Sequence, residues 1–540
     1  MLKRSKWRPI ATVTFAILLL AAVAFFFFLL KLDVLPSEYL LLVVAVAVLF
    51  VYVVGVLLFF GMRRKRSPAR RVRRIIGIVL SVILSAGFIF GAVLLNRVDQ
   101  TKQAVIARPE DSPRAVVGVF VQKDASAQSL SDMAGYKFAV LAGLGDEKLH
   151  ANYAIGKIND AVGTKVDAVS YPGITDAAAA LLNGDVQALA VSKGFLPLLN
   201  DTDEYADFSD AVRLVDDIVV PREATLENTP IVISESAQAA LPEATPEPTP
   251  EPTPEPTPEP IKYGEDRPMV FYLSGMDKYG QEIETNAHAD VNILMAVNPL
   301  TKQVLLVRTP RDFYVTNHAL GGGDKLTHCA IQGVPNSIRS LEELYDIKID
   351  NYCRVNFTGF YDFVDLIGGV TFYNPVDFTT TKENDGYHFP EGEITLTGYE
   401  ALCYARERMA FGDGELARGR NQIRVITAMI DKVRSNSAAI MLNYSEILDA
   451  LAGTFETDLS SDQMSDLIKV ALGSINDWDI KSYSAWGGSG KGTVASMGSQ
   501  EVYFIWPNAR SVAFTKELFA TILNNELITD ELLEEAPVAY

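Results

Sequence analysis

The stretch VNILMAVNPLTKQVLLVRTP, residues 291–310, decides the fold of the C-terminal half of this 540-residue chain. It predicts two apolar strands joined by a turn at Asn298 and Pro299. MVFYLSG (269–275) predicts another strand just before it, and IDNYCRVNF (349–357) predicts one after it. Strands of this kind need a covering layer, because a sheet buries its apolar faces against other elements.

Helical segments supply that layer. THCAIQGVPNSIRSLEELYDI (327–347) predicts a helix, and TGFYDFVDLIGGVTFYN (358–374) predicts a helix that leads into another strand. Thr397 and Glu400 can form a capping box for a further helix. Residues 265–520 are therefore predicted to form an α/β/α sandwich with a central mixed sheet.

The N-terminal part, residues 1–98, is predicted to be a membrane anchor. Its apolar runs, Ile10–Leu30, Tyr39–Met62 and Ile75–Leu95, are each long enough to cross the hydrocarbon core as a transmembrane helix. The loop RRKRSPARRVRR (63–74) holds eight basic residues and no acidic one. By the positive-inside rule this loop and the N-terminus are cytoplasmic, and everything after the third run is extracytoplasmic. The first run lacks a small-residue cleavage site, which predicts an anchor and no removed signal peptide.

Residues 116–235 alternate strand and helix patterns, which predicts a small α/β accessory module with a parallel or mixed sheet. The segments SLSDMAGYKFAVLAG and VDAVSYPGITDAAAALLNGDVQALAV within it resemble one lobe of the periplasmic solute-binding proteins. A structural or interaction role and a sensing role are both open for this module.

A Pro-rich linker follows at 242–262, and its centre, Thr245–Pro260, is four copies of Thr-Pro-Glu-Pro. Proline at every second position favours polyproline II, and the glutamates repel one another. The repeat predicts a stiff spacer of about 50 Å at roughly 3.1 Å per residue. Its expected role is to hold the last domain away from the bilayer.

Charge and cysteine usage exclude some classes of protein. The whole chain has a net charge of −19, although residues 1–98 carry 14 Lys and Arg against 2 Asp and Glu. Membrane topology explains this basic part, and the cytoplasmic material is too short for a DNA-binding domain, so no nucleic-acid partner is predicted. Cys329, Cys353 and Cys403 are too few for a disulfide framework, although one bridge is possible.

The stretch ALCYARERMAFGDGELARGRNQ (401–422) concentrates charged side chains between two apolar-periodic segments. Arg406 and Arg408 alternate as on an extended strand, which would place both guanidinium groups on one face. Arg418 opens an amphipathic helical pattern. Guanidinium groups match pairs of phosphate oxygens, so phosphate or pyrophosphate is the first predicted ligand. The alternative is an ordinary solvated charged surface.

Polar side chains also collect at the ends of the predicted strands. Asp277 follows the first strand, Asp290 precedes the second, and Arg311 follows the third. Ligands of open α/β sheets usually bind outside strand ends. Two carboxylates beside several arginines are what a magnesium-assisted pyrophosphate site requires.

Several motifs, in this order, look like the LytR-CpsA-Psr family of wall glycopolymer ligases over residues 270–435: LSGMD, AHADVNILMAVNP, VLLVRTPRDFYV, DKLTHCA, VNFTGFYDFVDLIGGVTF, LTGYEALCYARER and GELARGRNQ. The resemblance implies a phosphotransferase that moves a teichoic acid, capsule or other glycopolymer from a polyprenyl-pyrophosphate carrier to peptidoglycan. A phosphodiester forms and polyprenyl phosphate is released. An apolar groove for the polyprenyl chain is expected between sheet and helices.

The resemblance also implies roles for individual residues. Mg²⁺ would be the cofactor, bound by Asp277 and Asp290. The residues implied in contacts with the pyrophosphate substrate are Arg311, Arg406, Arg408, Arg418 and Gln422, and Lys325 matches a basic position near the same site. The residues implied in catalysis are Arg311, Arg406, Arg408 and Asp290.

Three positions depart from the usual family pattern. His288 stands where an arginine is usual, Glu415 replaces an aspartate, and Asn421 replaces another arginine. A histidine at 288 can weaken the pyrophosphate contact or make it pH-dependent, because histidine titrates near neutrality.

Other functions stay open at this point. A hydrolase would cleave the polyprenyl pyrophosphate without an acceptor. A non-catalytic membrane sensor or attenuator, or a protein that only tethers polymer, would need no chemistry. The transferred glycopolymer, the general base (Asp290 or Asp277) and the oligomeric state are also open.

Overall fold

The computed structural model describes residues 7–60, 68–106, 115–200, 202–221, 223–229, 267–283, 287–436, 443–473 and 478–537. The predicted linker at 242–262 and the basic residues at 63–67 lie outside the described residues. The helices are α1 (Trp7–Leu32), α2 (Ser37–Phe59), α3 (Pro68–Ile106), α4 (Gly145–Val162), α5 (Ile174–Leu182), α6 (Leu196–Asn200), α7 (Phe208–Ala211), α8 (Leu326–Cys329), α9 (Val334–Tyr345), α10 (Phe357–Leu366), α11 (Gly398–Arg406), α12 (Glu415–Ser435), α13 (Tyr444–Leu451), α14 (Ser461–Gly473), α15 (Ala509–Leu523) and α16 (Asp530–Glu534).

The strands are β1 (Ala115–Gln122), β2 (Lys137–Leu141), β3 (Asp167–Tyr171), β4 (Ala188–Ser192), β5 (Val212–Val220), β6 (Met269–Met276), β7 (Ala289–Asn298), β8 (Gln303–Arg308), β9 (Tyr314–Asn317), β10 (Gly322–Lys325), β11 (Asn351–Asn356), β12 (Val370–Asn374), β13 (Phe378–Thr379), β14 (His388–Phe389), β15 (Gly392–Leu396), β16 (Phe455–Thr457), β17 (Asp479–Ser484), β18 (Gly487–Thr493) and β19 (Glu501–Pro507).

The three predicted membrane spans are confirmed as long apolar helices. The segments Pro9–Leu32, Ser37–Phe59 and Arg71–Lys102 are each long and apolar enough to cross a membrane. A hydrogen bond from Ser81 Oγ to the carbonyl oxygen of Thr14, at 2.9 Å, joins α3 to α1. Hydroxyl groups commonly link helices in this way inside a membrane, where water offers no alternative partner.

The accessory module is a five-stranded sheet in the order β3-β2-β4-β1-β5. Strand β2 is parallel to β3 and β4, whereas β1 is antiparallel to β4 and β5, so the sheet is mixed. Helix α4 covers one face, where Leu149 and Ile155 pack against Phe138. Helix α5 covers the other face, where Ala177 and Leu181 are buried.

The central sheet of the C-terminal domain has six strands in the order β16-β11-β6-β7-β8-β17. It is mixed, because β6 and β11 are parallel and β6, β7 and β8 are antiparallel neighbours. Side chains of β6 alternate between faces: Val270 and Tyr272 point towards α9 and α15, and Phe271 and Leu273 point to the opposite face. The predicted α/β/α sandwich is therefore confirmed. Its core continues past residue 520, since Ile528 is buried in it.

The single helix predicted at 327–347 is wrong in detail. Helix α8 is followed by a 3₁₀ turn and then by α9, and Gly333 separates them with a φ of 101°. Glycine reaches this conformation without the steric penalty of a Cβ atom. Pro335 then lies in the first turn of α9, where its missing N–H costs no hydrogen bond.

The three cysteines are all free. Cys329 and Cys403 are buried in the interior, and Cys353 lies on β11. The single disulfide bridge that the sequence allowed is therefore not formed.

The accessory module packs directly on the sandwich. Phe195 of the module and Leu320, Ile331 and Phe504 of the sandwich belong to one buried cluster. The N–H of Ile174, at the start of α5, donates to the carbonyl oxygen of Ser496 at 2.9 Å. The two units therefore share a hydrophobic core.

The sandwich also packs directly on the membrane anchor. Leu448 of α13 is buried with Leu32, Val34 and Val98 at the ends of α1 and α3. Because these contacts join the sandwich to the ends of the predicted membrane spans, the expectation that the linker holds the last domain away from the bilayer is wrong. The repeat predicts stiffness only for its own segment, which lies outside the described residues. The contacts with the anchor form between residues far apart in sequence.

Candidate active site

A cavity of about 460 Å³ lies on the face of the central sheet that α10, α11, α12 and α13 cover. Its charged and polar part is lined by Asp277, Asp290, Arg311, Arg406, Arg408, Arg418 and Gln422. Its apolar part is lined by Leu273, Val355, Phe360, Phe363, Val425, Ile426, Met429, Leu451 and Phe455. The cavity can thus hold a ligand with an anionic head and an apolar tail.

Asp277 and Asp290 lie at the same edge of the sheet because β6 and β7 are antiparallel neighbours. Burial raises the pKa of Asp277, and the negative charge of Asp290 raises it further. Burial also opposes ionisation of Asp290, but the charges of Arg311 and Arg418 outweigh it and lower the pKa of Asp290. Asp290 is therefore the firmly ionised member of the pair.

Arg311 follows the Thr309-Pro310 turn after β8 and holds Asp290. Its Nη1 atom lies 2.7 Å from Asp290 Oδ1, and its Nε atom lies 3.6 Å from Asp312 Oδ2. Burial alone would lower the pKa of Arg311, but these two carboxylates raise it. The guanidinium group is therefore held in place and charged before any substrate binds.

Arg406 and Arg408 reach the cavity from a helix end and the turn after it, so the predicted extended strand is wrong here. The capping box of Thr397 and Glu400 starts a nine-residue helix that runs through Arg406. Arg406 Nη2 lies 3.7 Å from Asp277 Oδ1. Its guanidinium carbon also lies 4.5 Å from the centre of the Phe357 ring, a cation–π contact that orients the group.

Arg418 and Gln422 are one helical turn apart near the start of α12 and share one face. Arg418 is only 5% exposed, and its Nη2 atom lies 2.5 Å from Glu415 Oε2. Burial and the nearby charge of Arg311 lower the pKa of Arg418 to about 10, so it stays protonated at neutral pH. Among the described residues, none hydrogen-bonds the buried Oε1 of Gln422.

Lys325 is the one predicted substrate residue that does not line the cavity. Its Nζ atom lies 3.3 Å from Asp312 Oδ1. Asp312 in turn contacts Arg311. Lys325 is therefore separated from the cavity by Asp312 and Arg311, and its charge balances that of Asp312.

A sequence model of the LytR_cpsA_psr family matches residues 236–517. The chain belongs to the LytR-CpsA-Psr family. The chain is similar to the polyisoprenyl-teichoic acid–peptidoglycan teichoic acid transferase TagU from Bacillus cereus, with 34% identity over 210 residues, or 39% of this chain and 66% of that protein. TagU from Oceanobacillus iheyensis is 33% identical over 222 residues, or 40% of this chain and 66% of that protein. The matches thus span just under two thirds of these relatives.

A solved structure of a LytR-CpsA-Psr relative is also similar. The crystal structure of B. subtilis TagU is 27% identical, with a TM-score of 0.37. The similarity covers 49% of this chain and 100% of that one.

His288, the first departure from the LytR-CpsA-Psr pattern, is neutral. Its burial, together with the charge of His328, lowers the pKa of His288 to about 3. The two imidazole rings lie 5.9 Å apart. A pH-dependent contact from His288 near neutrality is therefore not supported, because the ring has already lost its proton there.

The other two departures serve packing around α12. Glu415 contacts both Arg308 and Arg418, so the acidic charge is kept between two arginines. Asn421 Nδ2 donates to the carbonyl oxygen of Tyr404 at 3.2 Å, which ties α12 to α11. Asn421 is not among the residues that line the cavity.

Arg308 and Glu407 support the LytR-CpsA-Psr site and were missed by sequence reasoning. Arg308 is 1% exposed and forms an ion pair with Glu415 beneath α12. A Cβ atom at Gly419 would lie 2.9 Å from Arg308 Nε, so glycine is needed there for the two to pack. The available signal was an arginine that ends the otherwise apolar strand QVLLVR.

Glu407 holds the turn that carries Arg408. Its carboxylate accepts hydrogen bonds from the N–H groups of Thr381, Arg408 and Ala410 at 2.8, 3.0 and 2.9 Å. The amide of Asn384 donates to it at 3.0 Å. Burial raises its pKa, but these donors outweigh burial and lower it. The signal in the sequence was hidden, because Glu407 stands between two arginines.

Asp277 and Asp290 are the residues of the candidate site that would hold a Mg²⁺ ion. Burial, and after it the charge of Asp290, raise the pKa of Asp277, so a cation in the cavity would favour the ionised form of both carboxylates. Mg²⁺ is commonly held by one or two carboxylates, with water and substrate phosphates as further ligands. The described part of the chain contains no group of three or more His, Cys, Asp or Glu with metal-site geometry. A bound Mg²⁺ would thus complete its shell with water and phosphate oxygens.

Proposed function

We propose that the protein is a phosphotransferase that attaches a glycopolymer from a polyprenyl-pyrophosphate carrier to peptidoglycan during cell-wall assembly. The observation that carries this proposal is one cavity that joins a cluster of arginines and carboxylates to a long apolar lining. The relatives' name, polyisoprenyl-teichoic acid–peptidoglycan teichoic acid transferase, supports it. A teichoic acid or another wall polymer is the proposed cargo.

The arginines of the cavity bind the pyrophosphate. Arg311, Arg406 and Arg408 present guanidinium groups that match pairs of phosphate oxygens. Arg418 adds a fourth charge, and the side-chain amide of Gln422 supplies hydrogen bonds. The apolar lining takes the polyprenyl chain, because burial removes its surface from water.

The reaction is a displacement at phosphorus. A hydroxyl oxygen of a peptidoglycan sugar attacks the carrier-distal phosphorus, and the bond from that phosphorus to the bridging oxygen breaks. Polyprenyl phosphate leaves, and the hydroxyl proton passes to Asp277 or Asp290, whichever carboxylate is not fully engaged with the metal. The arginines stabilise the charge that develops on the transferred phosphate. Mg²⁺ held by Asp277 and Asp290 would neutralise charge on the leaving phosphate.

The site lies outside the cell in this proposal. The basic loop at 63–74 and the N-terminus are cytoplasmic, and residues 115–537 are extracytoplasmic. Peptidoglycan and the glycan head of the carrier are then on the same side as the cavity.

The test uses the full chain in lipid nanodiscs, because the sandwich shares apolar clusters with both the module and the anchor. A polyprenyl-pyrophosphate glycan is supplied with peptidoglycan oligomers, and polymer attached to peptidoglycan is measured. We expect transfer by the wild type and its loss in Arg406→Ala. Arg420→Ala is the matched control, because Arg420 is exposed on α12 and pairs with Asp413 away from the cavity.

Each alternative function has its own outcome. Release of polyprenyl phosphate with no attachment would show a hydrolase. Carrier binding with no turnover would show a tethering protein, and absence of carrier binding would favour a sensor or attenuator.

A further inference from the structure

Two side chains of the apolar part of the cavity also pack against the membrane anchor. Leu451, at the end of α13, and Phe455, at the start of β16, both line the cavity. The same two side chains pack against a buried cluster that contains Leu32, Val98 and Leu448. We call this contact the anchor seam: Leu32, Val34, Leu95, Val98, Leu448, Leu451 and Phe455.

The sheet register separates the seam from the charged part of the cavity. Phe455 pairs with Val355 on β11, and Val355 pairs with Gly275 on β6. Asp277 follows β6, so the seam lies two strands to the side of the carboxylates. The cavity lining therefore extends sideways across the sheet, from the arginines to two side chains that pack on the anchor.

Ion pairs flank the anchor seam on both sides. Arg97 Nη2 of α3 lies 2.9 Å from Asp449 Oδ2 of α13. Lys469 Nζ of α14 lies 2.6 Å from Asp33 Oδ2, just after α1. Charged side chains at the end of an apolar span are typical of the membrane surface. These ion pairs thus indicate that the anchor seam lies at the membrane–water interface.

We propose that the anchor seam is the entrance through which the isoprenoid tail of the carrier passes from the bilayer into the cavity. This inference rests on the proposed function, which supplies a membrane-embedded carrier. Apolar surface is unfavourable in water in proportion to its area, so a route that stays on apolar side chains is favoured. Leu451 and Phe455 supply such a route, because each contacts both the anchor cluster and the cavity. Helices α1 and α3 are then part of the lipid-binding site.

The first experiment uses the unmodified full chain in nanodiscs. The probe is a long-chain polyisoprenyl pyrophosphate with a photoreactive diazirine in the middle of its tail. Cross-links are expected in peptides that contain Leu451 and Phe455 and in the C-terminal part of α3. Cross-links confined to other faces of the sandwich would overturn the entrance.

The second experiment compares Leu451→Trp with Ala452→Trp. Ala452 packs in the same cluster but does not line the cavity, so its variant controls for damage to anchor packing. For Leu451→Trp we expect turnover of the bilayer-embedded long-chain carrier to fall about tenfold further than turnover of a soluble short-chain analogue. An equal fall for both substrates would overturn the entrance.

Failure of the entrance and failure of the proposed function give different results. Cross-links at the seam without polymer transfer would remove the proposed function and leave the entrance in place. Polymer transfer without cross-links at the anchor seam would support the proposed function and overturn the entrance.

Discussion

Arg311 Nη1 lies 2.7 Å from Asp290 Oδ1, so two residues of the site bind each other before any ligand arrives. Both side chains are largely buried, with exposed fractions of 22% and 13%. The pair therefore fixes the guanidinium group that would contact the pyrophosphate and the carboxylate that would hold a cation in the proposed mechanism. This contact is expected to affect both the stability of the fold and the rate of transfer. Substitutions at the two residues can separate these effects.

Arg311→Ala is expected to lower transfer by about 10²–10³-fold, as does loss of a group that stabilises developing charge. It should also lower the free energy of unfolding by about 3 kcal/mol, because Asp290 stays buried without its partner. The double variant Arg311→Ala/Asp290→Asn should regain much of that stability but none of the transfer. Thermal unfolding and transfer rates of the two variants check this. A double variant no more stable than the single one would contradict it.

Asp277→Asn is expected to weaken binding of a divalent cation by about tenfold or more, since a charged interaction contributes about 1.5–3 kcal/mol. Mn²⁺ titration followed by electron paramagnetic resonance measures this without any turnover. Removal of divalent cations should likewise abolish transfer by the wild type. Asp377→Asn is the control, because Asp377 is an exposed carboxylate that pairs with His388. Equal Mn²⁺ affinity in the two variants would exclude Asp277 as a ligand.

The central strands could be predicted because their signals are local. The runs MVFYLSG and VNILMAVN are apolar at successive positions, as expected for strands buried on both faces. Once β6, β7 and β8 are antiparallel neighbours, Asp277, Asp290 and Arg311 must meet at one edge. These three members of the charged part of the cavity therefore followed from strand ends, whereas Arg406, Arg408 and Arg418 came from the charged run at 401–422.

Contacts between distant segments could not be predicted in this way. Nothing in the periodicity near Phe195 indicates Phe504, and nothing near Leu448 indicates Val98. Prediction from the local sequence also failed for a buried residue in a highly charged segment. Glu407 lies in a charged run for which an extended strand was predicted and a solvated surface was the alternative, yet it is fully buried.

Glu407→Gln is expected to lower the free energy of unfolding at neutral pH by about 1–3 kcal/mol, because an amide replaces an acceptor that several donors share. The pKa of Glu407 in the folded protein is lowered from its ordinary value of 4.5. Its contribution is therefore present above that ordinary value and is lost as pH falls through the lowered pKa.

The free energy of unfolding, measured as a function of pH, tests whether the Glu407 carboxylate stabilises the turn. The wild type should lose stability below about pH 4.5 through Glu407, and Glu407→Gln should lack that part of the loss. Glu393→Gln, an exposed glutamate on β15, is the control and should follow the wild type. Parallel curves for all three proteins would show that Glu407 does not hold the turn.

Phe195→Ala is expected to destabilise the accessory module and the sandwich together. Phe195 is fully buried in the cluster that contains Phe504, so its removal leaves a cavity between the two units and costs about 3–5 kcal/mol. Hydrogen exchange on the full chain should become faster both in α5 of the module and in β19 of the sandwich. Leu149→Ala is the matched control, because Leu149 is buried in a cluster made of module residues alone. It should speed exchange in the module and leave β19 protected. Faster exchange in β19 for both variants, or for neither, would show that the two units do not share one folding core.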